Sequence, residues 1–309
     1  MTIIVAGSTG LVGSAIMRSL ASKNESLIGI NRKVVDLLDR KATFEFVNSI
    51  KPELIIDAAA IVGGIGANNN YPVEFLSNNI QIQSNLMDAA HAANVERFVF
   101  LGSSCIYPRD CAQPIKEEYL MTGPLEPTNS AYAVAKIAGI ELIRSYRKQF
   151  DRKWISLMPT NMYGPNDNFD LFTSHVLPAL INRFVTASLK ESETVTLWGT
   201  GSPKREFLHV DDIVPGIMLA AEKYDDGMHL NIGTGEEQTI YELASIVSRL
   251  AGFEGSINWD SSKPDGTPRK VLDVSRIKNL GWKPLISLEE GITSTIEWFK
   301  ANIGTISKR

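Results

Sequence analysis

The sequence predicts an α/β fold: a doubly wound parallel sheet followed by a smaller C-terminal domain. Short apolar runs rich in β-branched residues alternate with helical patterns through the first half of the 309-residue chain. A glycine-rich turn joins the first of these runs to the first helical pattern. Strands that alternate with helices form parallel sheets covered on both faces. We expect residues 1–158 to form the sheet domain and residues 159–309 most of the second domain, with part of 205–235 returning to the first.

The individual elements follow in order along the first half. The first predicted strand, residues 2–6, stops at a glycine and leads into a helical pattern that runs through Leu20. Further runs of strand length lie at 27–30, 54–58 and 98–101, and helical patterns lie at 42–50 and 80–93. The second half is richer in Pro, Gly and Trp and less regular, which predicts a separate region that begins near Met158.

Composition and charge exclude several classes of protein. Hydrophobic residues make up 44% and charged residues 21%, and the net charge is -4, so nucleic-acid and anionic-membrane partners are not expected. The two cysteines, Cys105 and Cys111, are too few for a disulfide framework. No secretion-signal pattern opens the sequence, and no apolar run reaches the ~20 residues that span a bilayer. We expect a cytoplasmic protein without a metal site.

The turn after the first strand has the spacing G-x-x-G-x-x-G and consists of Gly7, Ser8, Thr9, Gly10, Leu11, Val12 and Gly13. Glycines in such a turn allow a sharp bend and let a pyrophosphate approach free N–H groups at the helix N-terminus. The motif predicts a dinucleotide site of the Rossmann type. The alternative is a glycine-rich turn that binds nothing.

The end of the second strand indicates which dinucleotide binds. NAD sites often place an acid there for the ribose hydroxyls, whereas the 2′-phosphate of NADP favours arginine. This chain has Arg32 and Lys33, with no acid until Asp36. The two cations favour NADP(H), and the alternative is a solvated basic turn.

A Tyr-x-x-x-Lys pair, Tyr132 and Lys136, lies in a helical pattern, where four residues make about one turn and place both side chains on one face. Ser103 and Ser104 follow a predicted strand, at the edge where such sheets bind ligands. A lysine cation is expected to lower the pKa of the tyrosine from its usual ~10, so that Tyr132 can exchange a proton while a serine holds the substrate oxygen. The alternative is a surface helix pair without chemistry.

Longer segments carry a more specific resemblance that runs nearly end to end. They are 58–65, 101–108, 159–165, 174–176, 205–212 and 263–270. On these segments the chain resembles the GDP-L-fucose synthase family of extended short-chain dehydrogenases/reductases. The resemblance implies an NADP(H)-dependent enzyme that epimerises and reduces GDP-4-keto-6-deoxy-D-mannose. It also implies a homodimer formed through the helices near 81–93 and 132–146.

The resemblance also assigns roles to single residues. Hydride transfer falls on Ser103, Tyr132 and Lys136, and the proton exchanges of epimerisation fall on Cys105 and His175. Contacts to the GDP-sugar are expected from Arg183, Trp198, Arg205 and Asp265. Cofactor contacts beyond the glycine turn and Arg32 are expected at Leu101, Gly102, Ser103, Ser104, Lys136, Pro159, Thr160, Asn161, Met162 and His175. Some relatives have arginine where this chain has Thr9, which leaves Arg32 as the main candidate for the 2′-phosphate.

The chemistry of a 4-keto sugar fits these assignments. The ketone acidifies the hydrogens on carbons 3 and 5, and inversion needs one group that removes a proton and another that returns one to the opposite face. Cys and His side chains can both titrate near neutral pH when they are perturbed. Taken singly, Cys105 is a small buried hydrophobe and His175 a helix-start residue. Together, in these motifs, they indicate an acid/base pair.

Two other functions remain open on the sequence. A reductase of a related GDP-4-keto sugar, such as a heptose, needs the Ser, Tyr and Lys but not the Cys and His. A non-catalytic NADP-binding regulator needs neither set. We interpret His209 and His229 as structural, and no role follows for Cys111.

Overall fold

A computed structural model describes residues 1–21, 26–263 and 265–306 of the chain. Pro264, which belongs to the segment 263–270 named above, lies outside the described residues. The elements of the first half are β1 (Ile3–Ala6), α1 (Leu11–Leu20), β2 (Leu27–Ile30), α2 (Arg40–Ile50), β3 (Leu54–Asp57), α3 (Ile65–Asn70), α4 (Asn79–Ala92), β4 (Arg97–Leu101), α5 (Ser130–Phe150) and β5 (Ile155–Pro159).

The second half continues with shorter strands between helices. Its elements are β6 (Asn161–Tyr163), α6 (Val176–Leu189), β7 (Thr194–Trp198), β8 (Lys204–Arg205), β9 (Phe207–His209), α7 (Val210–Lys223), β10 (Leu230–Ile232), β11 (Gln238–Thr239), α8 (Ile240–Ala251), β12 (Ser256–Asp260), β13 (Arg269–Lys270), α9 (Ser275–Asn279) and α10 (Leu288–Ile306).

Six strands form one parallel sheet in the order β10-β5-β4-β3-β1-β2. The predicted α/β fold with a doubly wound parallel sheet is confirmed. Strand β1 lies between β2 and β3, so the direction of winding reverses there. A crevice opens outside the carboxyl ends of strands at such a reversal, which is where ligands bind in open α/β sheets.

The central strands are buried along their whole length because helices cover both faces of the sheet. Their near-continuous runs of Ile, Leu and Val are what a fully buried parallel strand requires. The predicted strands at 2–6, 27–30, 54–58 and 98–101 agree with β1 to β4 to within one residue at each end. Short apolar runs between helical patterns therefore located four of the six strands of the sheet, while β5 and β10 were not predicted.

The second half of the chain packs a separate core around α6, α8 and α10, which includes Phe184, Leu243 and Ile292. Other parts of this half pack in the core of the sheet domain, namely α7, β10 and the segment 272–282. Met158, where the sequence suggested that the second region begins, is fully buried in β5.

Arg97, at the start of β4, ties the returning helix α7 to the sheet. Its guanidinium donates hydrogen bonds to the carbonyl oxygens of Ala221 (2.6 Å) and Ala220 (3.2 Å) and to that of Tyr224. These carbonyls lie at the C-terminal end of α7 and at Tyr224 just beyond it, where several backbone acceptors lack a partner within the helix. Within the described part of the chain, no helix has both the length and the apolarity needed to cross a membrane.

Candidate active site

The glycine turn between β1 and α1 permits a close approach of another molecule. Gly7 has a φ of +75°, and a Cβ at this position would lie 2.6 Å from the carbonyl oxygen of Ala58, just after β3. Helix α1 follows Gly10 and receives no side-chain cap from the described residues. The first N–H groups of α1 can therefore bind an anion.

Arg32 follows β2 and is exposed. The backbone N–H and the hydroxyl of Ser8 both donate to the carbonyl oxygen of Ile30, at 2.9 and 3.1 Å. These bonds hold the glycine turn against the end of β2. Arg32 lies two residues beyond that contact, close to the glycine turn. This location suits a contact with a 2′-phosphate, and that role stays a prediction.

Ser103, Tyr132 and Lys136 come together at the carboxyl end of β4. The ammonium of Lys136 donates a 2.9 Å hydrogen bond to the carbonyl oxygen of Leu101, two residues before Ser103. Ser103 in turn forms a hydrogen bond with Tyr132. The Nζ atom of Lys136 lies 6.0 Å from the centroid of the Tyr132 ring. Strand β4 and helix α5 thus place all three side chains in one group.

The expected lowering of the Tyr132 pKa is wrong for this structure. Burial raises the pKa of Tyr132 above its usual value, and the nearby Cys105 raises it further, while the hydrogen bond from Ser103 lowers it in part. Lys136 does not lower this pKa because its own pKa is about 8, so it has already lost its proton at the high pH at which Tyr132 ionises. At neutral pH Lys136 is still a cation and can stabilise a phenolate that forms during the reaction. Tyr132 is therefore a neutral phenol at neutral pH, which can donate a proton.

Lys136 shares its buried environment with Asp57, a residue that the sequence analysis did not select. Burial lowers the pKa of Lys136 to about 8, and the charge of Asp57 opposes that shift. Asp57 is itself fully buried at the end of β3, where burial raises its pKa to about 6 against the influence of Lys136. Its Oδ2 atom has no hydrogen-bond partner among the described residues. The two charges depend on each other.

Cys105 lies in a short 3-10 turn, Ser104–Ile106, directly after the serine pair. Its backbone N–H donates to the Ser103 hydroxyl oxygen at 3.2 Å. The ammonium of Lys270 donates to the Cys105 sulfur at 3.6 Å. Lys270 pairs in register with Arg205 across β13 and β8, and the charges of Arg205 and Cys105 also influence each other. Two cations from the second half of the chain therefore flank the thiol.

His175 is the N-cap residue of α6, and its side chain makes no capping hydrogen bond to the described residues. The residue is exposed, yet protein atoms crowd the imidazole enough that desolvation, with the charge of Lys270, lowers its pKa. The side chain therefore reaches solvent although many protein atoms surround it. Lys270 thus acts on both predicted members of the acid/base pair, Cys105 directly and His175 through its charge.

The four residues predicted to contact a GDP-sugar lie around β7 and the segment 265–270. Arg183 donates to the carbonyl oxygen of Thr196, in β7, at 3.3 Å. Trp198, at the end of β7, is 67% exposed, so its ring face is accessible for stacking. Asp265 accepts from the backbone N–H (3.0 Å) and the hydroxyl (2.7 Å) of Thr200. The Arg205 guanidinium lies close to Gly266, next to Asp265.

The predicted cofactor contacts 159–162 lie where β5 passes into β6, at the same edge of the sheet. Thr160 donates from its backbone N–H to Ile232 at 3.0 Å, and Asn161 donates from its side chain to the carbonyl oxygen of Glu206 at 2.9 Å. Gly102 donates from its N–H to Leu157 at 2.8 Å. The loops after β4 and β5 are thereby fixed beside each other.

Comparison with known proteins identifies the family. Residues 3–233 match the NAD dependent epimerase/dehydratase family. The chain belongs to this family.

Three similar proteins narrow the resemblance within the family. GDP-L-fucose synthase 1 from Arabidopsis thaliana is 50% identical over 302 residues, which cover 97% of this chain and 94% of that protein. A solved GDP-L-fucose synthetase from Naegleria fowleri bound to NADP superposes with a TM-score of 0.91 at 27% identity, covering 98% of this chain and 95% of that one. A GDP-mannoheptose C4 reductase from Campylobacter jejuni with NADP bound has a TM-score of 0.89 and 33% identity, covering 97% and 98%. The resemblance recognised in the sequence is confirmed.

The sequence analysis did not select Lys270, although this residue closes the segment 263–270 that carries the resemblance. The sequence offered one signal: Lys270 and Arg269 are two neighbouring cations in a segment that carries the resemblance. Its contact with Cys105 spans 165 positions, so the sequence could not place the two side chains together.

The remaining singled-out residues lie in packed surroundings. His209 is 4% exposed and accepts from the Asp211 N–H at 3.3 Å, and His229 is fully buried with its ring 2.9 Å from the Tyr107 hydroxyl. Cys111 is half-buried against the sheet core. No group of three or more His, Cys, Asp or Glu side chains suited to a metal ion occurs among the residues that the structure describes.

Proposed function

We propose that this chain converts GDP-4-keto-6-deoxy-D-mannose to GDP-L-fucose, by epimerisation at carbons 3 and 5 and NADPH-dependent reduction at carbon 4. The observation that carries the proposal is that Lys270 contacts the Cys105 sulfur next to Ser103 and that its charge also acts on His175. We call Ser103, Tyr132 and Lys136 the reductive group, and Cys105 with His175 the epimerisation pair. The names of the similar proteins from Arabidopsis thaliana and Naegleria fowleri support the same activity.

The residues present fit NADP(H). The pyrophosphate would bind at the glycine turn, where Gly7 leaves no room for a side chain and the N-terminus of α1 is uncapped. Lys136 would bind the nicotinamide ribose, and the guanidinium of Arg32 would bind the 2′-phosphate. When bound, NADPH supplies the hydride that reduces carbon 4. Two structural neighbours with NADP bound support this choice of cofactor.

In the reduction, Tyr132 is the proton donor. Its raised pKa keeps the phenol protonated at neutral pH, and the hydroxyl transfers its proton to the oxygen on carbon 4 as that oxygen gains negative charge. Ser103 holds the same oxygen through its hydroxyl. The positive charge of Lys136 stabilises the phenolate that Tyr132 leaves behind.

In the epimerisation, Cys105 and His175 exchange protons with carbons 3 and 5. One of the pair removes a proton to form an enolate, and the other returns a proton to the opposite face, so each inversion is proton-neutral. His175 has a lowered pKa and is a neutral imidazole that can accept a proton. Lys270, bonded to the Cys105 sulfur, can stabilise negative charge there.

The nucleotide end of the substrate lies between β7 and the segment 265–270 in this proposal. Arg183 and Arg205 offer cations to the diphosphate, because a guanidinium matches phosphate oxygens in a bidentate manner. Trp198 offers an exposed ring for stacking on the base. Asp265 orders the Gly199–Thr200 turn beside Trp198 through its bonds to Thr200.

The experiment is NADPH turnover by the purified full chain against a panel of GDP- and UDP-linked 4-keto sugars, run in deuterium oxide. The proposal expects turnover on the GDP-linked 6-deoxy-mannose derivative and deuterium at carbons 3 and 5 of an L-configured product. The alternative function is reduction of a GDP-4-keto heptose, which the Campylobacter jejuni neighbour favours. Turnover on the heptose without deuterium uptake would establish that alternative, and no turnover on any sugar would indicate a non-catalytic NADP-binding regulator.

We also propose that the enzyme works in the cytoplasm as a homodimer formed through α4 and α5. A thiol acid/base group is compatible with a reducing compartment. Val134 on α5 is 44% exposed and Phe150 at its end is 45% exposed, so each leaves apolar surface that a partner could cover. Sedimentation at micromolar concentration tests this, with a 34 kDa species as the contradicting result.

A further inference from the structure

The seven residues that follow β3 connect the cofactor turn to the loop that carries His175. We call residues 58–64 the diglycine segment, because it ends in Gly63 and Gly64. At its start, Ala58 lies against Gly7 so closely that a Cβ on Gly7 would be 2.6 Å from the Ala58 oxygen. At its end, the segment leads into α3.

The end of the diglycine segment touches the two residues that precede His175. The Gly64 N–H donates a 2.7 Å hydrogen bond to the carbonyl oxygen of Thr173. A Cβ on Gly64 would lie 2.4 Å from the carbonyl oxygen of Ser174. Gly64 has an ordinary extended backbone, with φ -67° and ψ -178°, so its glycine is required by this close approach and not by its backbone conformation.

Buried amide side chains hold the diglycine segment in place. Asn68 is 6% exposed and donates from Nδ2 to the carbonyl oxygens of Gly63 (2.7 Å) and Gly64 (3.1 Å). Asn79 accepts from the Ile61 N–H at 2.7 Å and donates to the Ile61 carbonyl oxygen at 3.0 Å. With the middle and the end of the segment bonded to α3 and α4, the segment cannot yield easily where the Thr173–Ser174 backbone contacts it.

The same segment also supports the other reacting groups. Ile61 and Cys105 pack against a small apolar cluster made of Ala67, Phe75 and Tyr132. The Phe75 and Tyr132 rings meet edge to face, with centroids 6.2 Å apart. One short stretch of chain therefore borders the thiol and the phenol on one side and the His175 loop on the other.

We propose that Gly64 is a positioning residue for epimerisation, which sets the distance from His175 to Cys105 through its contact with Thr173 and Ser174. The inference rests on the proposed function. His175 caps α6 with its backbone only, so the place of its imidazole follows the backbone of 173–175, and Gly64 fixes that backbone. A displacement of about 1 Å in a proton-transfer group can cost about 100-fold in rate.

The test compares Gly64→Ala with Gly66→Ala in the full chain. A Cβ on Gly66 would meet nothing nearer than Phe172 at 3.4 Å, so this control adds the same methyl group two residues away without a collision. For Gly64→Ala we expect deuterium uptake at carbons 3 and 5 of the GDP-4-keto-6-deoxy sugar to fall about 10- to 100-fold. The loss is expected in kcat and not in KM, and the dissociation constant for NADPH should stay within about twofold. Gly66→Ala should match the wild-type protein.

A second variant guards against a folding defect. Asn68→Ala removes the two bonds to the Gly63 and Gly64 carbonyls without adding any atom, and we expect a smaller loss of exchange, about three- to tenfold, again with NADPH binding kept. Wild-type exchange rates in both Gly64→Ala and Asn68→Ala would overturn the proposal, as would an equal loss of NADPH binding and exchange in both. Absence of exchange in the wild-type protein would instead refute the proposed function, so the two failures are distinguishable.

Discussion

The reductive group is held by one strand end and one helix of the sheet domain, whereas the epimerisation pair is assembled from both halves of the chain. Lys136 is 2% exposed and Tyr132 9% exposed, and both lie on α5 beside the end of β4. His175 is exposed at the start of α6, and Cys105 depends on a lysine 165 positions away. The contrast teaches that some substitutions in the second half of the chain should stop epimerisation and leave reduction intact.

The largest effect is expected from Tyr132→Phe, which removes the proton donor but keeps the ring. NADPH oxidation with the keto sugar should fall 10²- to 10⁴-fold, the usual contribution of a general acid, while NADPH binding changes little. Tyr146→Phe is the matched control, because Tyr146 lies on the same helix and its hydroxyl donates to Asp88, away from the cleft. Steady-state absorbance at the NADPH band gives both rates. Near-normal turnover by Tyr132→Phe would place the acid elsewhere.

A smaller and more selective effect is expected from Lys270→Met, which removes the cation beside Cys105. A charge-assisted hydrogen bond contributes about 1.5–3 kcal/mol, which corresponds to about 10- to 100-fold in the rate of deuterium exchange at carbons 3 and 5. Binding of NADPH should change little, since Lys270 contacts the Cys105 sulfur and not the glycine turn or Arg32. The control is Lys300→Met, which removes an exposed lysine on α10. If exchange in Lys270→Met equals that of the control, the lysine does not act on the pair.

The alkaline limit of reduction tests the buried charges of the reductive group. Lys136 has a pKa lowered to about 8, and Asp57 raises it. Because the cationic form is the one that stabilises the phenolate, kcat/KM for NADPH-dependent reduction should fall as pH rises through about 8. Asp57→Asn removes the charge that raises the pKa, so the fall should begin at a lower pH. The measurement is the pH profile of kcat/KM for Asp57→Asn, and the control is the profile of Asp110→Asn, which removes an exposed acid. If the two profiles fall at the same alkaline pH, Asp57 does not raise the pKa of Lys136.

The smallest effect is expected from Arg32→Ala, on the choice of cofactor. Arg32 is exposed, so solvent screening reduces its contribution to about 1 kcal/mol, or about fivefold in the dissociation constant for NADPH. The dissociation constant for NADH should not change, because NADH has no 2′-phosphate. Lys41→Ala, on the outer surface of α2, removes the same charge as a control. Equal affinity of the wild-type protein for NADPH and NADH would remove Arg32 from the site.

The same contrast explains which features of the fold and the site could be predicted from the sequence. The glycine turn and the Tyr132–Lys136 spacing are local patterns, and the alternation of strands and helices brings them to one sheet edge, so both were predictable. The sign of the pKa shift of Tyr132 was not predictable, because it depends on the burial of the phenol, on the nearby Cys105 and on the lowered pKa of Lys136. Lys270 and Asp57 escaped because each acts on a residue far away in the chain, through strand pairing or shared burial that spacing does not encode.

The central claim is that one cleft holds two separable chemistries, and Cys105→Ser tests it most directly. Serine keeps the size of the side chain but does not ionise at neutral pH, so the substitution changes chemistry and not packing. The measurement is product stereochemistry by NMR with deuterium uptake at carbons 3 and 5. The account predicts loss of uptake and of the L-sugar, with continued NADPH oxidation that yields a D-configured 6-deoxy product. Formation of the L-sugar by Cys105→Ser at the wild-type rate would contradict it.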